Sequence, residues 1–348
     1  VTSSETGQEN LETVVVSGAN QLFERLERFE RFEQIEERIM IVDWHAHVYP
    51  PELARERRWG GITPLTIENL LEAHEKAGID LCVVSNTIHY LKDKSNEESL
   101  KFLRRWNEYG AEIQQKYWDR IVVFTSTLPC GGAPFLRELE RAITQLGLKG
   151  VLINSSHRHA YPDDDEARPF FEMVTALGVP MMMHAPSVGF GEERMRDYRL
   201  ASSVGRPFDE CLSIARLIVR GVFERHADLK FVGCHLGGGI CDVIGRMDYA
   251  YELGDKASGL GPYEPMLITK KPSEYLKRLH MDTVAYHPPA VMCAYQTVGA
   301  KQLLFGSDAP PLLPLLPRAR KIIEDLPLTE DERADILGQN ALRLLERQ

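Results

Sequence analysis

The sequence predicts an α/β chain: a closed, TIM-like (β/α)8 barrel preceded by an N-terminal helical extension. After residue 40, short β-branched or apolar runs alternate with longer segments of helical periodicity, and eight such runs are present. Strands alternating with helices imply a parallel sheet, and eight units suggest closure into a barrel. The alternative, an open doubly wound sheet, would want a glycine-rich phosphate turn after its first strand. None stands there.

Residues 1 to about 18 are polar and unpatterned. From Leu22 to Met40, Leu22, Phe23, Leu26, Phe29, Phe32, Ile35 and Ile39 recur at three- and four-residue steps, with Asn20 as N-cap. This amphipathic helix must bury its stripe on the main body or on a second subunit. Its polar face is mixed with excess acid, unlike the basic face of a membrane-surface or calmodulin-type helix. The expected organisation is therefore residues 1–39 as tail and helix, and residues 40–348 as the barrel.

The candidate strands are Ile39–Trp44, Asp80–Asn86, Arg120–Ser126, Lys149–Asn154, Pro180–His184, Leu229–His235, Leu279–Asp282 and Gln302–Ser307. Helical patterns between them include Leu65–Ala77, Glu98–Lys116, Pro134–Leu146, Ala167–Leu177, Glu210–Arg225 and Pro272–Arg278.

Composition narrows the function classes. The 348 residues are 43% hydrophobic and 26% charged, as in an ordinary globular protein. A net charge of -10 argues against nucleic acid, whose phosphates need a clustered positive surface. It leaves a small anionic substrate possible, since that responds to a local site. Six cysteines without a CxxC pair read as reduced thiols. No apolar run approaches a membrane span, and the first residues lack the basic and apolar regions of a signal peptide, so a cytoplasmic location is expected.

The chemistry gathers at strand ends. The first strand runs into Asp43-Trp44-His45-Ala46-His47, and residues two apart on a strand face the same side. The fifth ends at His184, the sixth at His235 before three glycines, and the eighth at Asp308. Barrel enzymes place their active sites at these ends. Three neutral imidazoles and a carboxylate suit Zn²⁺, with Mn²⁺, Fe²⁺ or Co²⁺ as substitutes. An open coordination position would hold a water of lowered pKa.

Asp-Trp-His-Ala-His, Met183-His184, Cys-His-Leu-Gly-Gly-Gly and Phe-Gly-Ser-Asp-Ala-Pro, in that order, resemble the amidohydrolase superfamily. More narrowly, they resemble its branch containing aminocarboxymuconate-semialdehyde decarboxylase and the resorcylate and carboxyvanillate decarboxylases. Supporting stretches are Gly147–Val151, Leu217–Arg225, Lys271–Leu276 and Gly338–Ala341, so the similarity runs from about residue 40 to 347. The helical extension is not part of the usual pattern.

The resemblance implies that His45, His47, His184 and Asp308 bind the metal and that His235 is the catalytic acid/base, with Asp308 beside it. Some members carry Glu for the first histidine and lack the second. Keeping both brings this chain nearer the zinc-using type. The resemblance further implies a substrate-binding arginine after the paired histidines, matched by Arg58 with Arg55 and Arg57 competing. A second, Arg246, would reach a neighbouring subunit's site in a homodimer or higher homo-oligomer. The loop after the fourth strand offers His157, Arg158 and His159, and His287 follows the seventh. Phe190 and Trp59 could wall an unsaturated ring. Asp43 reads as a strand-end hydrogen bonder, and His74, His89, His226 and His280 as structural or surface residues. The expected activity is non-oxidative decarboxylation of an unsaturated or aromatic carboxylic acid. The alternative is hydrolysis of an amide, lactone, imine or ring substituent at the same site, and a non-catalytic metal-binding protein is a third reading.

Overall fold

The computed structural model describes residues 39–52, 66–88, 91–158, 160–185, 191–256, 259, 263–310 and 312–346. The predicted N-terminal helix lies outside them, apart from its last two residues. Ile41–Gln348 form one compact unit.

Eight parallel strands follow one another in the order of the chain. They are β1 (Val42–His47), β2 (Leu81–Ser85), β3 (Ile121–Ser126), β4 (Gly150–Asn154), β5 (Met181–His184), β6 (Phe231–Gly233), β7 (His280–Asp282) and β8 (Leu303–Leu304). The barrel closes between β8 and β1. There the Trp44 N–H donates to Phe305 O at 2.8 Å, Asp308 N–H to His45 O at 2.8 Å, and His47 N–H to Ala309 O at 2.7 Å. Nearly every strand residue is buried, which explains the continuous apolar runs where a half-exposed sheet would alternate.

The helices after the strands are α1 (Ile67–Ala77), α2 (Asn96–Lys116), α3 (Ala133–Thr144), α4 (Arg168–Leu177), α5 (Arg206–Val219), α6 (Ile240–Leu253), α7 (Pro288–Val298) and α8 (Leu316–Glu324). Local chemistry sets their ends. Thr66 caps α1 by accepting from the Asn69 N–H, and Ser95 with Glu98 forms a capping box on α2. The expected Glu210–Arg225 helix is instead two pieces. α5 starts four residues earlier, at Arg206, and stops before Gly221 (φ 70°), beyond which Val222–Arg225 make a separate turn. None of the helices among the described residues is long and apolar enough to cross a membrane.

Two strand boundaries differ from expectation in ways that build the mouth. β1 extends to His47, so both histidines lie within the ladder. β6 stops at Gly233 because His235 and Leu236 take left-handed backbone at φ 50° and 55°. The register of β1 against β2 shifts between Asp43 and Ala46, which is a bulge. Trp44 therefore meets Phe124 edge-on at 5.5 Å, while Asp43 turns to the helix side. Gly150 makes room for Phe124: a Cβ there would come within 2.5 Å of the ring.

Candidate active site

The C-terminal ends of β1, β5, β6 and β8 bring the predicted histidines and aspartate together. One donor atom from each of His45, His47, His184 and Asp308 lies within 4.8 Å of all the others. His45 Nε2 and His47 Nε2 are 3.0 Å apart, and they stand 3.5 and 3.4 Å from Asp308 Oδ1. The His184 ring lies 4.8 Å from that of His47 and 5.1 Å from that of His45.

The outward nitrogens determine what these rings present inward. His45 Nδ1–H donates to Asp282 Oδ2 at 2.7 Å, and His184 Nδ1–H to Ala185 O at 2.7 Å. Ser85 Oγ donates to Ala46 O, which leaves it to accept from His47 Nδ1–H at 3.1 Å. All three Nε2 atoms therefore turn lone pairs toward one another and toward a carboxylate. A cation satisfies such a set while every outward hydrogen bond is kept, and partners that fix the tautomer are the usual support of metal-ligating histidines. A divalent ion fits these residues.

The electrostatics agree for His184 and His47. Burial, with His47 and His45 adding to it, holds His184 well below the ordinary histidine value. Burial also lowers His47, so both rings stay neutral. For His45, burial is outweighed by the Asp282 carboxylate and the pKa is raised. Partial burial opposes a charge on Asp308, whose side chain is 16% open, yet His235 and His47 hold it well below the carboxylate range.

His235 stands beside this cluster with Nε2 3.5 Å from Asp308 Oδ2. Its Nδ1 is held by both oxygens of Glu210, each at 3.0 Å. Burial opposes a charge on His235, but Glu210 and Asp308 outweigh it and raise its pKa well above the ordinary value. Burial pushes Glu210 up to about 7 despite that neighbour. An imidazolium aimed at the mouth is thus available near neutral pH.

Sequence reasoning missed the residues that orient this set. Asp282 accepts from the His45 ring and from the His235 N–H at 2.8 Å, so one carboxylate ties two site residues. Glu210 and Asp209 are consecutive on α5. The first holds His235, and the second accepts from Ser155 Oγ, Ser156 Oγ and Tyr161 OH in and after the β4 loop. Gly238 (φ 65°) brings the His235 loop against α5, for a Cβ there would overlap Pro207 O. An acidic pair starting a helix is ordinary in a sequence, and nothing local marked its targets. Two further groups converge, Asp43 with His74 and Cys82, and Asp282 with His45 and Cys234, but their carboxylates are engaged in hydrogen bonds.

Other candidates fare variously. His157 follows β4, half-buried, with its backbone paired to Ala160 and its pKa lowered to about 4 by burial. Arg158 donates to Lys92 O at 3.0 Å. His287 stands at the N-cap position of α7 without a side-chain capping bond, and Arg246 is exposed on α6. His226 lies near Thr175 Oγ1, and His280 sits within β7. His74 is no surface residue. It is buried and bonds Asp43 at 3.0 Å. Arg55, Arg57, Arg58, Trp59, His89, His159 and Phe190 lie outside the described residues.

The sequence profile of the amidohydrolase family matches residues 42–347. The chain belongs to that family. Within it, the chain is 32% identical over 252 residues to 2-amino-3-carboxymuconate-6-semialdehyde decarboxylase of Dictyostelium discoideum, covering 72% of this chain and 67% of that protein. This places it in the branch of amidohydrolases that holds such decarboxylases. Two solved structures share the fold. The 5-carboxyvanillate decarboxylase of Sphingomonas paucimobilis gives a TM-score of 0.79 at 23% identity, covering 89% of this chain and all (100%) of that one. A dihydroxybenzoic acid decarboxylase from Polaromonas sp. JS666, with bound manganese and the inhibitor 2-nitroresorcinol, gives 0.75 at 20% identity, covering 89% and 97%.

Proposed function

We propose that this amidohydrolase is a metal-dependent carboxy-lyase that removes CO₂, without an oxidant, from an aromatic or unsaturated carboxylic acid. His45, His47, His184 and Asp308 are the ligands of one divalent ion in this reading. The observation that carries it is the convergence of those four donors within 4.8 Å, beside a carboxylate-held His235, in a chain of the decarboxylase branch. The donor set suits zinc, and the manganese in the Polaromonas relative makes that ion the first substitute to try. When bound, the ion supplies positive charge that orients an acidic substrate and stabilises negative charge developing on it.

The residues of the chain do the rest. Glu210 accepts from His235 Nδ1–H and favours the imidazolium, so that the second proton, on Nε2, faces the mouth. His235 delivers that proton to the carbon bearing the carboxylate. The bond to the carboxylate then breaks, its electron pair restores the unsaturated system, and CO₂ leaves. The reaction consumes one proton, which His235 regains through the mouth, to which its side chain remains 15% open. Asp308, 3.5 Å away, favours the charged form of His235 between turnovers.

Arg58 and Arg246 are the proposed carboxylate anchors, and His157, His159 and Phe190 the further substrate contacts. Arg246 is exposed on α6 near exposed Val243 and Tyr249, which supports a role toward a second copy of the chain in a homodimer.

The test is product analysis in ¹⁸O-labelled water, with CO₂ quantified, on zinc- and manganese-loaded protein. Hydroxy- and amino-substituted aromatic acids, muconate semialdehydes, amides and lactones form the panel. Stoichiometric CO₂ without label in the product skeleton supports the proposal. Label without CO₂ replaces it with a hydrolase.

A further inference from the structure

Asn154 closes β4 and pairs in register with His184 on β5. Residues in register on neighbouring parallel strands send their side chains to the same face. The His184 ring lies 4.8 Å from that of His47 and 5.1 Å from that of His235, so this face is the mouth. Asn154 is only 4% exposed, yet its Oδ1 has no hydrogen-bond partner among the described residues. A buried side-chain acceptor without a partner is uncommon, and its usual explanation is function.

Donors beside it in the chain or on the strands that pair with β4 are engaged elsewhere. Ser155 Oγ and Ser156 Oγ both donate to Asp209, Ser126 Oγ donates to Asn86 O at 2.8 Å, and His184 Nδ1 donates to Ala185 O. The mechanism above uses none of these groups to reach Oδ1. A neutral acceptor facing the mouth repels a carboxylate and welcomes an O–H or N–H.

We infer that Asn154 is a specificity residue, accepting at Oδ1 a hydrogen bond from a hydroxyl or amino group of the substrate. The inference rests on the decarboxylase reading and adds the substituent that the acid carries. A site built to bond an O–H discriminates against an analogue lacking it, because the acceptor is then left unpaired.

Ligands without a carboxylate separate this from turnover. Resorcinol and 1,3-dimethoxybenzene are titrated against the full-length, zinc-loaded chain by calorimetry, with wild type, Asn154→Leu and the smaller Asn154→Ala. Wild type binds the phenol about tenfold more tightly than the ether, the effect of one hydrogen bond. Both substitutions abolish that ratio by weakening phenol binding alone, at unchanged metal stoichiometry. Equal binding of the two ligands by wild type overturns the inference without any variant. So does a preference that survives substitution, or one lost only with the metal. Because neither probe can release CO₂, these results stand apart from the outcome of the product analysis.

Discussion

Asp43 Oδ2 lies 3.0 Å from His74 Nε2, joining the first strand of the barrel to the helix that follows it. The same carboxylate accepts from the His45 N–H at 3.0 Å, the Ser307 N–H at 2.9 Å and Ser307 Oγ at 2.5 Å. It therefore holds the two strand ends that carry His45, His47 and Asp308, from behind the site. Asp43→Ala orphans all of these buried donors and is expected to cost about 3 kcal/mol of stability. His74→Leu leaves the other donors served and costs about 1 kcal/mol. Urea midpoints at constant slope measure both. Equal, negligible shifts would show the network to be incidental.

Removing a donor from the cluster should remove the ion. His184→Ala and Asp308→Ala are expected to copurify with little metal and to lose activity in parallel, since each deletes one of four donors. Elemental analysis beside turnover decides this. A variant keeping both metal and rate removes that residue from the ligand set.

His235→Ala and Glu210→Gln should separate proton transfer from metal binding. His235→Ala is expected to retain metal and lose turnover by at least about 100-fold. Glu210→Gln keeps the hydrogen-bonding shape but removes the charge that raises the His235 pKa. The acid form of His235 is needed, so activity falls as pH rises through that pKa. Lowering it moves the alkaline limb of kcat to lower pH. An alkaline limb that stays in place while kcat drops would make Glu210 a packing residue only.

His280 predicts acid behaviour of the fold. Burial lowers its pKa to about 4, against an ordinary 6.5, and its Nδ1 has no partner among the described residues. The unfolded chain thus binds more protons between those values, and stability falls as pH drops from 6.5 toward 4. Between pH 7 and 4.5 this one group should remove about 2 kcal/mol. His280→Leu should flatten that part of the stability–pH profile. Chemical denaturation at the two pH values provides the comparison, and an unchanged slope would assign the acid loss to other groups.

If Arg246 serves a neighbouring site, inactive subunits should complement one another. His235→Ala and Arg246→Ala chains mixed in equal amounts are expected to regain up to about a quarter of wild-type activity, because about half of the dimers are then heterodimers and each has one site that draws both intact residues. Homodimers of either variant provide the baseline. No recovery in verified heterodimers would place Arg246 on an ordinary helix surface.

Much of this arrangement was legible in the residues alone. Eight buried runs separated by helical periodicity gave the barrel away, because a parallel sheet covered on both faces must be apolar along each strand. His45, His47, His184, His235 and Asp308 stood at predicted strand ends, and a barrel gathers all such ends on one rim. Alternation in β1, however, puts Asp43 on the same face as His45 and His47. The bulge reverses it, and a one-residue slip of register cannot be read from spacing. Likewise, which nitrogen of each histidine carries a proton depends on partners far along the chain. Asp282 lies 237 residues from His45, and Glu210 reaches His235 from a separate helix. Local periodicity sets which residues end a strand, and that was enough to read the barrel and the donor types at its mouth from the residues. Tautomers, charge states and the Asn154 acceptor left without a partner among the described residues depend instead on what the closed barrel brings within hydrogen-bonding distance.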